Sequence, residues 1–140
     1  MELTAHEVEH ALYERSGLLC VSGLSGDMRA QLASADPRAR EALELFAFRA
    51  GQETTAMASS LGKLDGCVFT GGIGEHAAEV RAMVCGRLRW LGVLLDAAAA
   101  AGISTGGAGR ISTPGSRAKI HVIPTDEEAT IARYTHDMVT

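Results

Sequence analysis

The seven residues Thr70-Gly71-Gly72-Ile73-Gly74-Glu75-His76 carry the densest chemical signal in the chain. Gly71, Gly72 and Gly74 permit φ > 0 and let backbone approach a ligand with no Cβ in the way. They lie where a short apolar run, Cys67-Val68-Phe69, gives way to Val80, Met83, Val84, Leu88 and Leu91 at helical spacing. The run predicts a strand buried on both faces, and the repeat predicts a helix from Ala77. A glycine turn between the two aims free N–H groups and the positive end of the helix dipole at one point, which suits a nucleotide or another anion. The same turn also serves to pack a strand closely on a helix. It is neither G-x-G-x-x-G nor G-x-x-x-x-G-K-[ST], so the pattern alone leaves both readings open.

A second cluster is Thr125-Asp126-Glu127-Glu128, which follows the predicted strand Lys119–Ile123 and Pro124. Thr125 and Glu128 have the spacing of a capping box, and acidic residues in a first helical turn complement the dipole. At the end of a parallel strand beside a nucleotide turn, one of these carboxylates could instead hold Mg²⁺ directly or through water. Asp27 and Arg29 stand at another helix start, where Asp27 reads first as a cap, while a guanidinium there can stack on a flat ring. His6-Glu7-Val8-Glu9-His10 matches the H-E-x-x-H zinc helix. Its place so near Met1 leaves no preceding sheet to form a cleft, and the extended pattern fails at Tyr13 and Ser16. It reads as a solvated helix face.

The elements that must position these groups follow from local signals. Thr4 and Glu7 form a capping box for a first helix with Val8, Ala11 and Leu12 on one side, ended by Gly17. Residues 16–31 read as glycine-punctuated turns. Asp36-Pro37 starts a helix whose apolar stripe runs from Ala39 to Leu61 and stops at Gly62. That stripe suits core packing or a subunit interface. Leu91–Asp96 reads as extended, residues 97–109 as a surface excursion, and Ile111-Ser112-Thr113 as a possible strand. The last helix runs through Ala129, Ala132, Thr135 and Val139.

Composition excludes several function classes. With 140 residues, 46% hydrophobic and 21% charged, the chain is one globular domain's worth. A net charge of −4 argues against a general nucleic-acid partner. No run approaches the ~20 apolar residues of a membrane span, so no membrane partner is expected. Cys20, Cys67 and Cys85 lack C-x-x-C spacing and read as buried thiols of a reducing, cytoplasmic compartment.

Taken in order, these segments resemble the C-terminal part of the acetate kinase family, in the acetate and sugar kinase/Hsp70/actin superfamily. Ser22-Gly-Leu-Ser-Gly-Asp-Met-Arg29 resembles its adenine-side segment, and Ala42-Leu-Glu-Leu-Phe-Ala-Phe-Arg49 its long helix. Val68-Phe-Thr-Gly-Gly-Ile-Gly-Glu75 resembles its phosphate-side loop. Ile111-Ser-Thr-Pro114 and Val122-Ile-Pro-Thr-Asp-Glu-Glu128 resemble its last strands and helix. The resemblance implies a partial ribonuclease-H-like (actin-like ATPase) α/β domain, with a short mixed sheet and long helices.

The resemblance also implies roles. Asp27, Met28 and Arg29 would line the adenosine pocket, Gly72, Ile73, Gly74, Glu75 and His76 would wrap ribose and phosphates, and Glu127 would be the metal-associated carboxylate. ATP or ADP with Mg²⁺ would be bound, the acceptor would be acetate or propionate, and the assembly a homo-oligomer. Two departures bear on binding: the family usually has Asn where His76 and Asp126 stand. The family's carboxylate-binding arginines and its catalytic aspartate and histidine have no counterpart in residues 1–140. The chain is therefore expected to be the C-terminal nucleotide-binding portion, with the N-terminal domain absent and no turnover alone. The alternative is a non-catalytic dimerisation module of the same fold.

Overall fold

The computed structural model describes residues 3–103 and 107–139. Its helices divide around one long member. The first, α1 (Ala5–Tyr13), opens on the expected capping box: the Thr4 hydroxyl accepts from the Glu7 N–H at 3.3 Å and the Glu7 carboxylate accepts from the Thr4 N–H at 2.8 Å. It stops at Tyr13 rather than at Gly17, and Gly17, at φ +62°, opens α2 (Gly17–Ser22). The 16–31 region therefore holds α2 where turns were expected, and α3 (Met28–Ala33) begins at the helix start expected at Asp27. Val8 and Leu12 do lie on one side of α1, but both are exposed and cover nothing in the described residues.

Helix α4 (Pro37–Leu61) has the predicted bounds. Asp36 accepts from the Arg38 N–H at 2.9 Å, and Gly62 ends the helix at φ +74°. At 1.5 Å per residue it is about 37 Å long. One side buries Ala39, Ala42, Leu43, Ala47, Gly51 and Ala58, and these small residues let α2, α3 and α6 (Ala78–Arg87) lie close against it. Arg40 joins α4 to α6 by an ion pair with Glu79 at 2.7 Å, and Arg87 sits over the Phe48 ring at 5.7 Å.

The sheet is small and mixed, in the order β1-β3-β2. Strand β1 (Gly66–Phe69) runs parallel to β3 (Lys119–Val122), pairing Gly66 with Lys119 and Phe69 with Val122. Strand β2 (Gly109–Arg110) lies antiparallel on the other side of β3. Its continuation through Ile111 and Ser112 is held less regularly, by an Ile111 N–H donation to Ile120 and a bridge from Ser112 to Leu95. The surface excursion at 97–109 contains instead a short helix, α7 (Ala97–Gly102), capped by Asp96, which accepts from the Ala99 N–H at 3.0 Å.

The core runs from Leu43 on α4 through Val80, Val84 and Leu88 to Val93, Ile111, Ile120 and Val122. Each fully buried aliphatic side chain of this kind contributes about 1.5–3 kcal/mol. Strand β1 departs from the expected two-sided burial: Cys67 and Phe69 turn to the core, while Val68 is 50% exposed. Successive side chains point to opposite faces of the sheet, and among the described residues only the Cys67 and Phe69 face of β1 is packed. The cysteines divide similarly, with Cys85 buried, Cys67 half-buried and Cys20 exposed. Burial pushes the Cys85 thiol up to about 12.

Gly51 is where α4 and α6 come closest, because a Cβ there would stand 2.8 Å from the Arg87 Cβ. A Gly51→Val change should therefore destabilise by about 1–3 kcal/mol through overpacking, read as a lower midpoint in urea unfolding. An unchanged midpoint would mean that the two helices part without cost.

Candidate functional site

The glycine turn folds differently from its simplest reading. Gly71–His76 is itself a short helix, α5, and Ala77, at φ −103° and ψ 81°, breaks it from α6. Only Gly71 takes a positive φ, +70°. Gly74 is required for a different reason, since a Cβ there would lie 3.1 Å from the Phe69 carbonyl carbon. At Gly72 a Cβ would meet nothing within 4 Å, so packing places no demand for glycine there.

Glu75 is the group that ties this turn to the sheet. Although it is a carboxylate on a short helix it is only 7% exposed. Its Oε1 accepts from the Gly71 N–H at 2.8 Å, the Thr125 N–H at 2.9 Å and the Thr125 hydroxyl at 3.1 Å. The ends of the two parallel strands, β1 and β3, are thus joined through one carboxylate oxygen. The Thr125 N–H, followed by the Gly71 N–H and the Thr125 hydroxyl, holds the Glu75 carboxyl below its ordinary value. The crevice outside the carboxyl ends of parallel strands is where open α/β sheets bind ligands.

Thr125 is consequently not the cap of the last helix, α8 (Glu127–Val139). Its hydroxyl is committed to Glu75, and Asp126 takes the capping role by accepting from the Ala129 N–H at 2.8 Å. A concavity of about 390 Å³ opens beside Thr125, Asp126, Thr130 and Ile131. A larger one, about 540 Å³, is lined by α2 and α4 and by neither strand end.

The other expected site residues fall as follows. His76 and Ile73 are exposed at the end and outer side of α5. Asp27 caps α3 by accepting from the Arg29 N–H at 2.8 Å, and its Oδ2 lies 3.5 Å from the Arg29 guanidinium, whose side chain is 90% exposed. Met28 points the other way and is part of the core at 5% exposure. In the described residues no hydrogen bond links Asp27–Arg29 to the α5 turn. The side chain of Glu127, the expected metal carboxylate, lies outside the described residues.

A divalent ion is compatible with the donors that are described, but only in an open form. Asp126 Oδ1 is committed to Ala129, and Oδ2 has no partner among the described residues. Among those residues no group of three or more His, Cys, Asp or Glu side chains converges on one point. Such a site fits Mg²⁺ held by one or two carboxylates, waters and a substrate's phosphates, rather than an all-protein cage. His10 pairs with Glu14 at 3.2 Å, and Glu7 is in the capping box, so the second histidine and the glutamate of the zinc-like motif are engaged elsewhere.

Two positioning residues were not evident from the sequence. Gln31 is buried and donates through Nε2 to the Ser22 hydroxyl at 2.6 Å and to the Ser25 carbonyl, which fixes the turn before Asp27. Arg81, fully buried, donates to the Gly74 carbonyl at 2.9 Å and the Glu75 carbonyl at 2.8 Å. An arginine that falls on the same helix face as Val80 and Val84 is the signal that could have found it.

These features define a crevice at the carboxyl ends of two parallel strands, and comparison with known proteins gives the class. The profile of the Acetokinase family matches residues 1–133, and the chain belongs to that family. It is 56% identical to an acetate kinase of Rhodopseudomonas palustris (strain ATCC BAA-98 / CGA009) over 132 residues, covering 94% of this chain and 33% of that protein. The crystal structure of Porphyromonas gingivalis acetate kinase superposes with a TM-score of 0.85 at 33% identity, covering 99% of this chain and 35% of the other. A propionate kinase from Francisella tularensis superposes at 0.81 with 34% identity, over 93% and 33%. The fold is that of these kinases, and the chain spans about a third of their length.

The Glu75 bridge carries a pH signature. Its folded pKa is depressed, so its stabilisation is present above the ordinary value of 4.5 and is lost as pH falls through the lower, folded value. Wild type should exceed Glu75→Gln in stability by a constant margin at neutral pH, with the margin shrinking below pH 4.5. Urea titrations of both proteins across that range check it, and a margin that grows on acidification would contradict the bridge.

Proposed function

We propose that this chain binds ATP or ADP, with Mg²⁺, across the carboxyl ends of β1 and β3, as the nucleotide side of a kinase whose acceptor is acetate or propionate. The observation that carries this is the glycine turn locked to the neighbouring strand end by Glu75, with Gly72 left open where nothing in the protein requires glycine. Backbone can then come against phosphate oxygens at Gly72 with no side chain between. Arg29, largely in solvent beside Asp27, is available to stack on the base, and His76 to reach the ribose or phosphates. Asp126, together with Glu127, supplies the carboxylates for a phosphate-bound Mg²⁺.

In the family reaction a carboxylate oxygen attacks the γ-phosphorus as the bond to the ADP oxygen breaks, giving an acyl phosphate and ADP. Bound Mg²⁺ would offset charge on the phosphates, and what remains is positioning. Glu75 is a tie rather than a base in this scheme, because three donors lower its basicity. The residues described here hold one reactant, so the 140-residue chain by itself is assigned binding without turnover.

A second reading, an association module of the same fold, is favoured by the exposed apolar residues of α1 and α8. These include Leu12 and Tyr13 on the one and Ile131, Tyr134 and Met138 on the other.

Isothermal titration separates the two. Mg·ADP should bind the wild-type chain saturably, and Gly72→Val should weaken it by at least about tenfold with no fall in thermal midpoint, since the added side chain meets open space. A folded wild-type chain that gives no binding heat, with a dimer's mass in solution, would replace the first reading with the second. Formation of acetyl phosphate from ATP and acetate by the purified chain would overturn the assignment of binding without turnover.

A further inference from the structure

Arg81 is fully buried, yet among the described residues no carboxylate pairs with it. Its four acceptors are all backbone carbonyls. Nη1 donates to Gly74 at 2.9 Å and Glu75 at 2.8 Å, and Nη2 donates to Ala100 at 2.7 Å and Ile103 at 3.3 Å. The first two lie at the C-terminal end of α5 and the second two at the C-terminal end of α7. Carbonyls left over at helix ends carry partial negative charge, and two such ends converging on one guanidinium offset the cost of burying it. That cost is real, because burial pulls the Arg81 pKa down, although arginine stays protonated at neutral pH. A planar fork with donors on separate nitrogens spans both helix ends, which a single ammonium does not.

Helix α5 needs such a hold. It has six residues, three of them glycine, and its N-cap Thr70 makes no side-chain capping bond. A helix this short does not persist alone. One end is tied through Glu75 to Thr125, and the other meets only the break at Ala77 and the Arg81 fork.

We propose that Arg81 is a positioning residue for the nucleotide turn, coupling the C-terminal ends of α5 and α7 and so fixing where Gly71, Gly72 and Glu75 stand at the strand ends. This rests on the nucleotide reading for its consequence, and on the geometry for the hold itself. Arg81 touches no ligand in this scheme. It acts through the turn.

Arg81→Lys tests it in the 140-residue chain, with Asp96→Ala as an independent route. The second variant leaves Arg81 intact and uncaps α7, loosening the Ala100 and Ile103 carbonyls from the far side. Hydrogen exchange read by NMR should quicken at least about tenfold at the Gly71 and Thr125 amides, which donate to Glu75, in Arg81→Lys. Asp96→Ala should give a smaller increase at the same two amides. The Ile111 and Ile120 amides, in the sheet, should keep their wild-type rates, a separation that general loss of stability would not give. Mg·ADP affinity should fall by about tenfold in Arg81→Lys.

Wild-type exchange at Gly71 and Thr125 in both variants would overturn the proposal, as would uniform acceleration at all four amides. Should Arg81→Lys fail to fold, Asp96→Ala decides by the same exchange pattern. If wild type takes up no Mg·ADP, the nucleotide reading fails, and the exchange pattern still decides whether Arg81 holds the turn.

Discussion

Two parallel strands cannot be joined by a tight turn, so nothing in the chain's local geometry makes their ends meet. In this protein the carboxyl ends of β1 and β3 are brought to a common edge by Glu75, whose Oε1 collects donors from Gly71 behind it and from Thr125 on the neighbouring strand's exit. The bond to Thr125 spans fifty residues of sequence. Once it is made, the glycine turn and the acidic start of α8 share one crevice. Without it they would be two separate loops at the end of a narrow sheet.

The rest of the architecture serves that edge. Helix α4 is the rigid member, and its alanine- and glycine-lined side allows α6 to pack closely. Through α6 the position of α5 is set relative to the sheet, with Arg81 as the link at one end and β1 at the other. Gln31 does comparable work ahead of α3 by holding the Ser22–Ser25 turn before Asp27. Two buried polar side chains thus stabilise turns that have little apolar surface of their own.

What was legible in the sequence was what short range decides. Asp36-Pro37 and Gly62 mark the two ends of α4, and the Thr4–Glu7 box marks the start of α1, because caps are contacts over two to four residues. Strands β1 and β3 were legible from apolar runs bounded by glycine and proline, whereas β2 fell at Gly109–Arg110, just before the expected Ile111–Thr113. The misses were long-range. Thr125 looked like a cap until Glu75 claimed its hydroxyl, and the Ala100 carbonyl at the end of α7 accepts from a guanidinium nineteen residues away, which no local pattern announces. Val68 was expected inside because an unbroken apolar run reads as buried on both faces, yet among the described residues only the Cys67 and Phe69 face of β1 is packed. The ordered family motifs identified the family, while the side-chain placement of Met28 in the core depended on which way α3 faces.

The pairing of β1 with β3 has a bearing on how the molecule is made. Closing a loop of about fifty residues costs roughly 3.5 kcal/mol of chain entropy before any contact across it forms. Helix α4, in contrast, is built wholly from neighbours in sequence and can form early. On a ribosome, α4 and β1 emerge well before the strand that completes the edge, so the crevice assembles last. During that interval β1 shows unpaired backbone groups together with Val68 and the core-facing Cys67 and Phe69. This strand edge is thus also the stretch with the longest window for pairing with another chain.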